Sequence, residues 1–175
     1  MLDRDVRLLA SPLVLRPTEP ADAQRFFEIQ SNWNVTRMLR LAPWPATLAA
    51  MEAWLPLHLD EWAAGTAYRF AVTCEGRVIG CADIDEIAEG TGDFGYWLEE
   101  ASWGRGFGKA AARAVIAFGF EVLGLRALTA GHAADNAASG HVLRSLGFTP
   151  THDGEKASRS RGEVIPYRFL RLERG

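Results

Sequence analysis

The stretch "SWGRGFGKAAARA", Ser102 to Ala114, places Gly104, Gly106 and Gly108 within five residues and then opens an alanine-rich helix. A glycine that must be ordered costs roughly 1 kcal/mol relative to alanine. Clustering several at a helix entrance implies that backbone amides approach something closely. The first turn of a helix carries N–H groups with no intrahelical partner and the positive end of the helix dipole. An anion suits such a place, and a phosphate is the natural candidate.

Composition narrows the partners. At 175 residues the chain suits one domain, 1–175, with a core of its own. Net charge is -3, and the one short basic run, "KASRSR" at Lys156–Arg161, lies between apolar segments and reads as a solvated loop. No nucleic-acid partner is expected. The longest near-apolar run, Leu41 to Leu59, is broken by Pro43, Pro45, Glu52 and Pro56, so no membrane partner is expected. "MLDRDVRLLA" lacks the apolar core of a signal peptide, and the reading is a soluble, cytoplasmic protein. A hairpin turning at Glu75–Gly76 would set Cys74 opposite Arg77 and Cys81 opposite Phe70. The two thiols would then stand on the order of 13 Å apart along the ladder, beyond disulfide reach. His58, His132, His141 and His152 match no metal-ligand spacing, and no metal is expected.

Along the chain, "SPLVLRPTEP" reads as a strand ended by prolines, and "ADAQRFFEIQSN" as a helix capped by Asp22. "WNVTRMLRLAPWP" reads as irregular. Thr47 caps a second helix, interrupted at Pro56 and stopped by Gly65. The hairpin over Tyr68–Ile87 and a strand "FGYWL" follow. A helix from about Gly106 to Leu123 carries Phe107, Ala111, Ala114, Val115, Phe118 and Val122 at a 3.6-residue rhythm and stops at Gly124. "LRALTAGH" is a strand, Asp135 or Asn136 caps a helix closed by Gly147, and "GFTPT" and "EVIPYRFLRLER" supply two final strands. The order predicts an α/β (α+β) fold, a mixed sheet covered by helices.

Two common phosphate loops fail. A Walker loop needs four residues between its first glycine and Gly-Lys-Ser/Thr, whereas Gly104 to Gly108 leaves three and Ala110 follows Lys109. A dinucleotide fingerprint on Gly106, Gly108 and Ala111 should follow its strand at once, and "EEASWGR" intervenes. Instead "GYWLEEASWGRGFGKAAARA", followed by "AGHAADNAASGHVLRSLGF", resembles the acyl-CoA-binding half of the Gcn5-related N-acetyltransferases (GNAT). The similar branch is that of the ribosomal-protein alanine N-acetyltransferases. The two motifs span roughly Phe94 to Phe148. Many members of the family carry Gln or Arg where this chain has Trp103.

The resemblance implies a mostly antiparallel sheet, helices on both faces, a splayed parallel strand pair, and acetyl-CoA as cosubstrate. It assigns the pyrophosphate to the backbone amides of Arg105, Gly106, Phe107, Gly108 and Lys109. A side chain at Gly106 or Gly108 would meet the phosphate, while Gly104 eases the turn. Arg105 and Lys109 either add charge to the site or are solvated cations. The N–H near Leu98 would polarise the acyl oxygen. Many relatives use a tyrosine in the last helix as acid, and Leu143 stands there. Ser139 is the substitute that the resembling branch suggests; otherwise it supports the helix's first turn. Asn136 caps that helix, contacts pantetheine, or does both. His132 and Asp93 are candidate proton acceptors, each with a structural alternative.

No dedicated base stands out. A lysine amine is neutral in about one molecule per thousand at pH 7 and an α-amine in roughly a tenth. The acceptor is therefore expected to be a peptide α-amine or a small amine. Trp33, Arg37 and Trp44, with Arg40 nearby, are the candidate acceptor pocket; Trp54 and Trp62 suit helix packing at least as well. Two rivals stand beside this reading: a non-catalytic acyl-CoA-binding module and an acyltransferase using a longer chain. The exposed final strands suit a homodimer.

Overall fold

The computed structural model describes residues 2–175. These residues form eight strands: β1 (Leu8–Ala10), β2 (Leu13–Pro17), β3 (Tyr68–Cys74), β4 (Arg77–Ala88), β5 (Thr91–Leu98), β6 (Ala127–Ala133), β7 (Thr149–Ser158) and β8 (Glu163–Glu173). They form one sheet in the order β1-β2-β3-β4-β5-β6-β8-β7, and every neighbouring pair except β5–β6 is antiparallel. The helices are α1 (Ala23–Gln30), α2 (Trp33–Thr36), α3 (Leu48–Trp54), α4 (Leu57–Ala64), α5 (Phe107–Ala117) and α6 (Ala137–Ser145). A π-helical turn, Phe118–Val122, continues α5. None of the described helices is long and apolar enough to cross a membrane.

The sheet has a core on each face, because strand side chains alternate. Phe26 of α1, Met51 of α3 and Leu55 just after α3 pack on Ala71 and Cys81, with the Phe26 ring edge-on to Trp97 at 4.8 Å. On the other face Phe107, Ala111, Val115 and Phe118 pack on Phe70, Ala82, Ile84 and Phe94. Phe26 and Phe70 are fully buried, each burial contributing about 1.5–3 kcal/mol. Gly119 lets this helix settle: a Cβ there would lie 2.7 Å from Ile84 Cδ1. Trp54 and Trp62 are packing residues, Trp54 against Phe26 and His58, Trp62 against Tyr68 and Phe70.

Four expectations are corrected. Asp22 precedes α1 but does not cap it, because its carboxylate accepts from Glu19 N–H and from Arg16 at 2.7 Å. Trp33–Thr36 is helical, with Asn32 accepting from Asn34 N–H as its cap. Cys81 faces Ala71 rather than Phe70, because a bulge between Val72 and Thr73 slips the β3–β4 register by one residue; Cys74 does face Arg77, and both thiols are free. "KASRSR" is no solvated loop: Lys156–Ser158 end β7, Ser158 and Ser160 are buried, and Arg161 reaches back across the chain. Thr47, Gly65 and Gly124 act as expected, Thr47 Oγ1 accepting from Ala50 N–H and both glycines taking left-handed φ of 70° and 68°.

His58 of α4 gives the fold an acid sensitivity. It is buried, its Nδ1 pairs with Thr18 Oγ1 at 2.8 Å, and its Nε2 has no partner. Burial, then the charges of Arg69 and Arg4, push its pKa down to about 3. The unfolded chain takes up that proton near pH 6.5 and the folded chain does not. Stability is therefore lost as pH falls from about 6.5 toward 3. The advantage of wild type over His58→Asn is expected to shrink by up to about 1.4 kcal/mol per pH unit between pH 6 and 4. Urea unfolding of both proteins across that range checks it; a constant difference contradicts the assignment.

Candidate active site

The single parallel pair shapes the site. β5 and β6 pair from Thr91↔Ala127 to Phe94↔Ala130 and no further. Beyond that point β5 stays on β4 as far as Gly80↔Leu98, and β6 stays on β8 as far as Ala133↔Tyr167. A gap thus opens between Gly95–Leu98 and Gly131–Ala133. Glu99 N–H donates to Ile79 O at 2.8 Å. The next pair along, Gly80↔Leu98, is therefore a non-hydrogen-bonded one, and the Leu98 N–H turns away from β4 toward the gap.

The turn after Leu98 is locked by charge. Glu99 is 8% exposed, and its carboxylate accepts from Arg77, Arg25 and Ser102 Oγ. Burial pushes this carboxyl up, but the Arg77 and Ser102 hydrogen bonds outweigh it and hold it below the usual range. The glycine loop leads from this turn into α5, which has no side-chain cap, unlike α3 and α6. Its N-cap is Gly106, left-handed at φ 78°, and Gly104 is also left-handed at φ 71°. A Cβ at either would meet no protein atom within 4 Å, so the loop is open on that side, and no side chain caps the first turn that holds the amides of Phe107, Gly108 and Lys109. Uncapped amides facing open space at a helix N-terminus fit a phosphate. Gly108 has a different reason to be glycine: its Cβ would lie 3.0 Å from the Tyr96 ring. The Arg105 guanidinium lies over the Phe107 ring at 4.4 Å.

Helix α6 flanks the gap. Asn136 Oδ1 accepts from Ser139 N–H at 3.2 Å, so Asn136 caps the helix. Ser139 is half-buried in the first turn and lies near the Tyr96 phenol; burial raises the phenol's pKa and the nearby Ser139 lowers it less. Leu143 is buried in the core that holds Phe94. His132 is 7% exposed, its Nδ1 donates to Ala133 O at 2.8 Å, and its unpartnered Nε2 lies against Gly140 of α6.

Asp93 stands on the opposite face of the sheet from His132, by strand alternation, so the two candidate acceptors are not brought together. Thr129 Oγ1 donates to Asp93 at 2.6 Å. Burial raises the Asp93 pKa, the Thr129 bond lowers it, and Asp85 and Glu86 raise it further, with a net rise. Arg40 and Tyr167 are its other polar neighbours. Trp33 and Trp44 meet at 4.9 Å between ring centres, each about two-fifths exposed. Arg37 does not stand free: it pairs at 2.8 Å with Asp135, which Arg161 also grips through two nitrogens. A cavity of about 540 Å³ lies between this region and the β7–β8 turn, lined by Arg40, Leu41, Ser158, Arg159, Glu163 and Val164.

The sequence profile of the acetyltransferase (GNAT) domain matches residues 12–149. The chain belongs to the GNAT acetyltransferase family. It is an acyltransferase, and its relatives are named N-acetyltransferases. It is 28% identical over 173 residues to the uncharacterized N-acetyltransferase p20 of Bacillus licheniformis, covering 95% of this chain and 97% of that protein. It is 26% identical over 142 residues to the spermidine N(1)-acetyltransferase of Escherichia coli K12, covering 80% of this chain and 74% of that one. Among solved structures, RimL, a ribosomal L7/L12 α-N-protein acetyltransferase in complex with coenzyme A, superposes with a TM-score of 0.86 at 18% identity, covering 96% and 98% of the two chains. The eight-stranded sheet with one splayed parallel pair is thus the GNAT fold.

Within that GNAT framework three further residues, none of them given a role by a motif in the sequence, stand at the site. Tyr96 touches both the glycine loop and Ser139. Arg161 ties the start of α6 to the backbone of Arg37. Asp83 lies next to Asp93's face of β5: a Cβ on Gly95 would stand 2.9 Å from its carboxylate, and burial pushes its pKa up against the pull of Arg69. The "GYWL" alternation could have found Tyr96; the other two depend on contacts distant in sequence.

Proposed function

We propose that this chain is an acetyl-CoA-dependent N-acetyltransferase whose acceptor is a peptide α-amine or a small amine. The observation that carries the reading is the gap between β5 and β6, with the uncapped N-terminus of α5 at one end of it. Acetyl-CoA supplies a thioester whose carbonyl carbon an amine attacks directly. The amides of Phe107, Gly108 and Lys109, with those of Arg105 and Gly106, bind the pyrophosphate, each hydrogen bond to that charge contributing about 1.5–3 kcal/mol. The Leu98 N–H donates to the acyl oxygen and stabilises the charge that gathers there. Ser139 Oγ donates to the departing thiolate, with the Tyr96 phenol beside it. Asp93, whose raised pKa makes it a better base than an ordinary carboxylate, takes the amine proton through water from the other face of the sheet. Trp33 and Trp44, with Arg37 behind them, form one wall of the acceptor pocket, and the Arg40–Arg159 cavity extends it. The names of the relatives support an amine acceptor, since they include a spermidine and a ribosomal-protein α-N acetyltransferase.

The test compares a peptide bearing a free α-amine with the same peptide blocked at its N-terminus and carrying an internal lysine, at pH 7. Transfer is expected to favour the α-amine, and Ser139→Ala is expected to lower kcat roughly tenfold or more. Preference for the lysine overturns the acceptor assignment, and an unchanged kcat overturns the role of Ser139.

A further inference from the structure

In an extended strand the N–H and C=O of one residue point to the same side. At Leu98 both therefore turn away from β4, and β6 has already parted from β5 at Phe94↔Ala130. No strand covers either group. If the N–H serves the acyl oxygen, the neighbouring carbonyl is a liability, because its partial negative charge would repel that oxygen as it gains charge. The structure answers this with Trp103, whose indole Nε1–H donates to Leu98 O at 2.9 Å. The residue is 45% exposed, so burial does not account for a tryptophan here. Its backbone is held in the turn by a bond from Trp103 N–H to Glu100 O at 3.0 Å.

We propose that Trp103 is a positioning residue for acyl transfer, capping the Leu98 carbonyl so that the end of β5 presents only its donor to the acyl oxygen. This rests on the role of Leu98 proposed above. Two variants separate the indole N–H from the indole ring: Trp103→Phe keeps a ring and loses the donor, and Trp103→Gln restores a donor without the ring. Trp103→Phe is expected to lower kcat about tenfold with KM for acetyl-CoA within about twofold. Trp103→Gln is expected to recover most of that loss. A second readout needs no turnover. In ¹⁵N-tryptophan-labelled protein the indole resonance that vanishes in Trp103→Phe is that of Trp103, and it should exchange with solvent far more slowly than an exposed indole. The other five tryptophans report that the variant is folded. Wild-type kcat in Trp103→Phe, equal losses in both variants, or fast exchange of that indole would each overturn the proposal. Absence of turnover in the wild type with every acceptor would instead overturn the function on which it rests, and the proposal with it.

Discussion

Gly80→Ala is expected to cripple the enzyme and loosen the fold together. A Cβ at Gly80 would stand 2.1 Å from Trp97 O and 2.8 Å from Leu98 Cα. Both are backbone atoms, so no rotamer change relieves the clash; the end of β5 has to move. That segment carries the Leu98 N–H, and its other side is anchored through Glu99 to Arg25 and Arg77. Overpacking of this kind costs about 1–3 kcal/mol and occasionally more, and a shift of about 1 Å in a catalytic group can cost roughly 100-fold in rate. Denaturant unfolding and kcat, measured at a temperature where the variant is folded, give the two effects separately. Wild-type stability and activity in Gly80→Ala would contradict the register on which the site is built.

Gly106→Trp is expected to do the opposite: to leave the fold nearly intact and abolish cofactor binding. A Cβ at Gly106 meets no protein atom, so the folded chain suffers only the left-handed backbone at φ 78°, about 1–2 kcal/mol for a residue other than glycine. The indole would fill the space before the amides of Phe107, Gly108 and Lys109. Losing two hydrogen bonds to a charged group, at about 1.5–3 kcal/mol each, weakens binding by at least 100-fold. Calorimetric titration with coenzyme A, beside a thermal melt, reads both. Undiminished affinity would place the phosphates elsewhere. The contrast between the two glycines is informative, since one is required by the protein's own packing and the other by open space.

What was legible in the sequence is what short-range chemistry decides. The Gly104–Gly108 loop, the Thr47 cap and the Gly65 and Gly124 stops depend on residues within a turn of one another and stand where the sequence puts them, and of the two cap candidates Asp135 and Asn136 it is Asn136 that caps α6. The longer helices follow from periodicity, and their placing on both faces of the sheet is what the resemblance implies. The illegible parts depend on distant partners or on weak patterns. β1 has three residues, too few to show alternation. β7 is an edge strand with mostly exposed side chains, so no apolar rhythm marks its length beyond "GFTPT". The slip that moves Cys81 from Phe70 to Ala71 is one residue in a bulge, which no hairpin rule anticipates. Asp22 looked like a cap, and Arg16 claimed its carboxylate instead. Within the site, residue types were readable but not their faces. Asp93 and His132 were both candidate proton acceptors, and only the parallel register sets them on opposite sides of the sheet. Arg37 was a candidate for the substrate, and Asp135, 98 residues away, holds it.

The most direct test of the central claim is free-thiol release from acetyl-CoA by the wild-type protein, with and without a panel of short peptides of varied N-terminus and small amines. Release is expected to depend on the acceptor, to be matched mole for mole by acetylated amine, and to be lost in Gly106→Trp. Tight binding of acetyl-CoA with no thiol release above background for any acceptor would contradict it and would make the chain an acyl-CoA-binding module with no transfer chemistry.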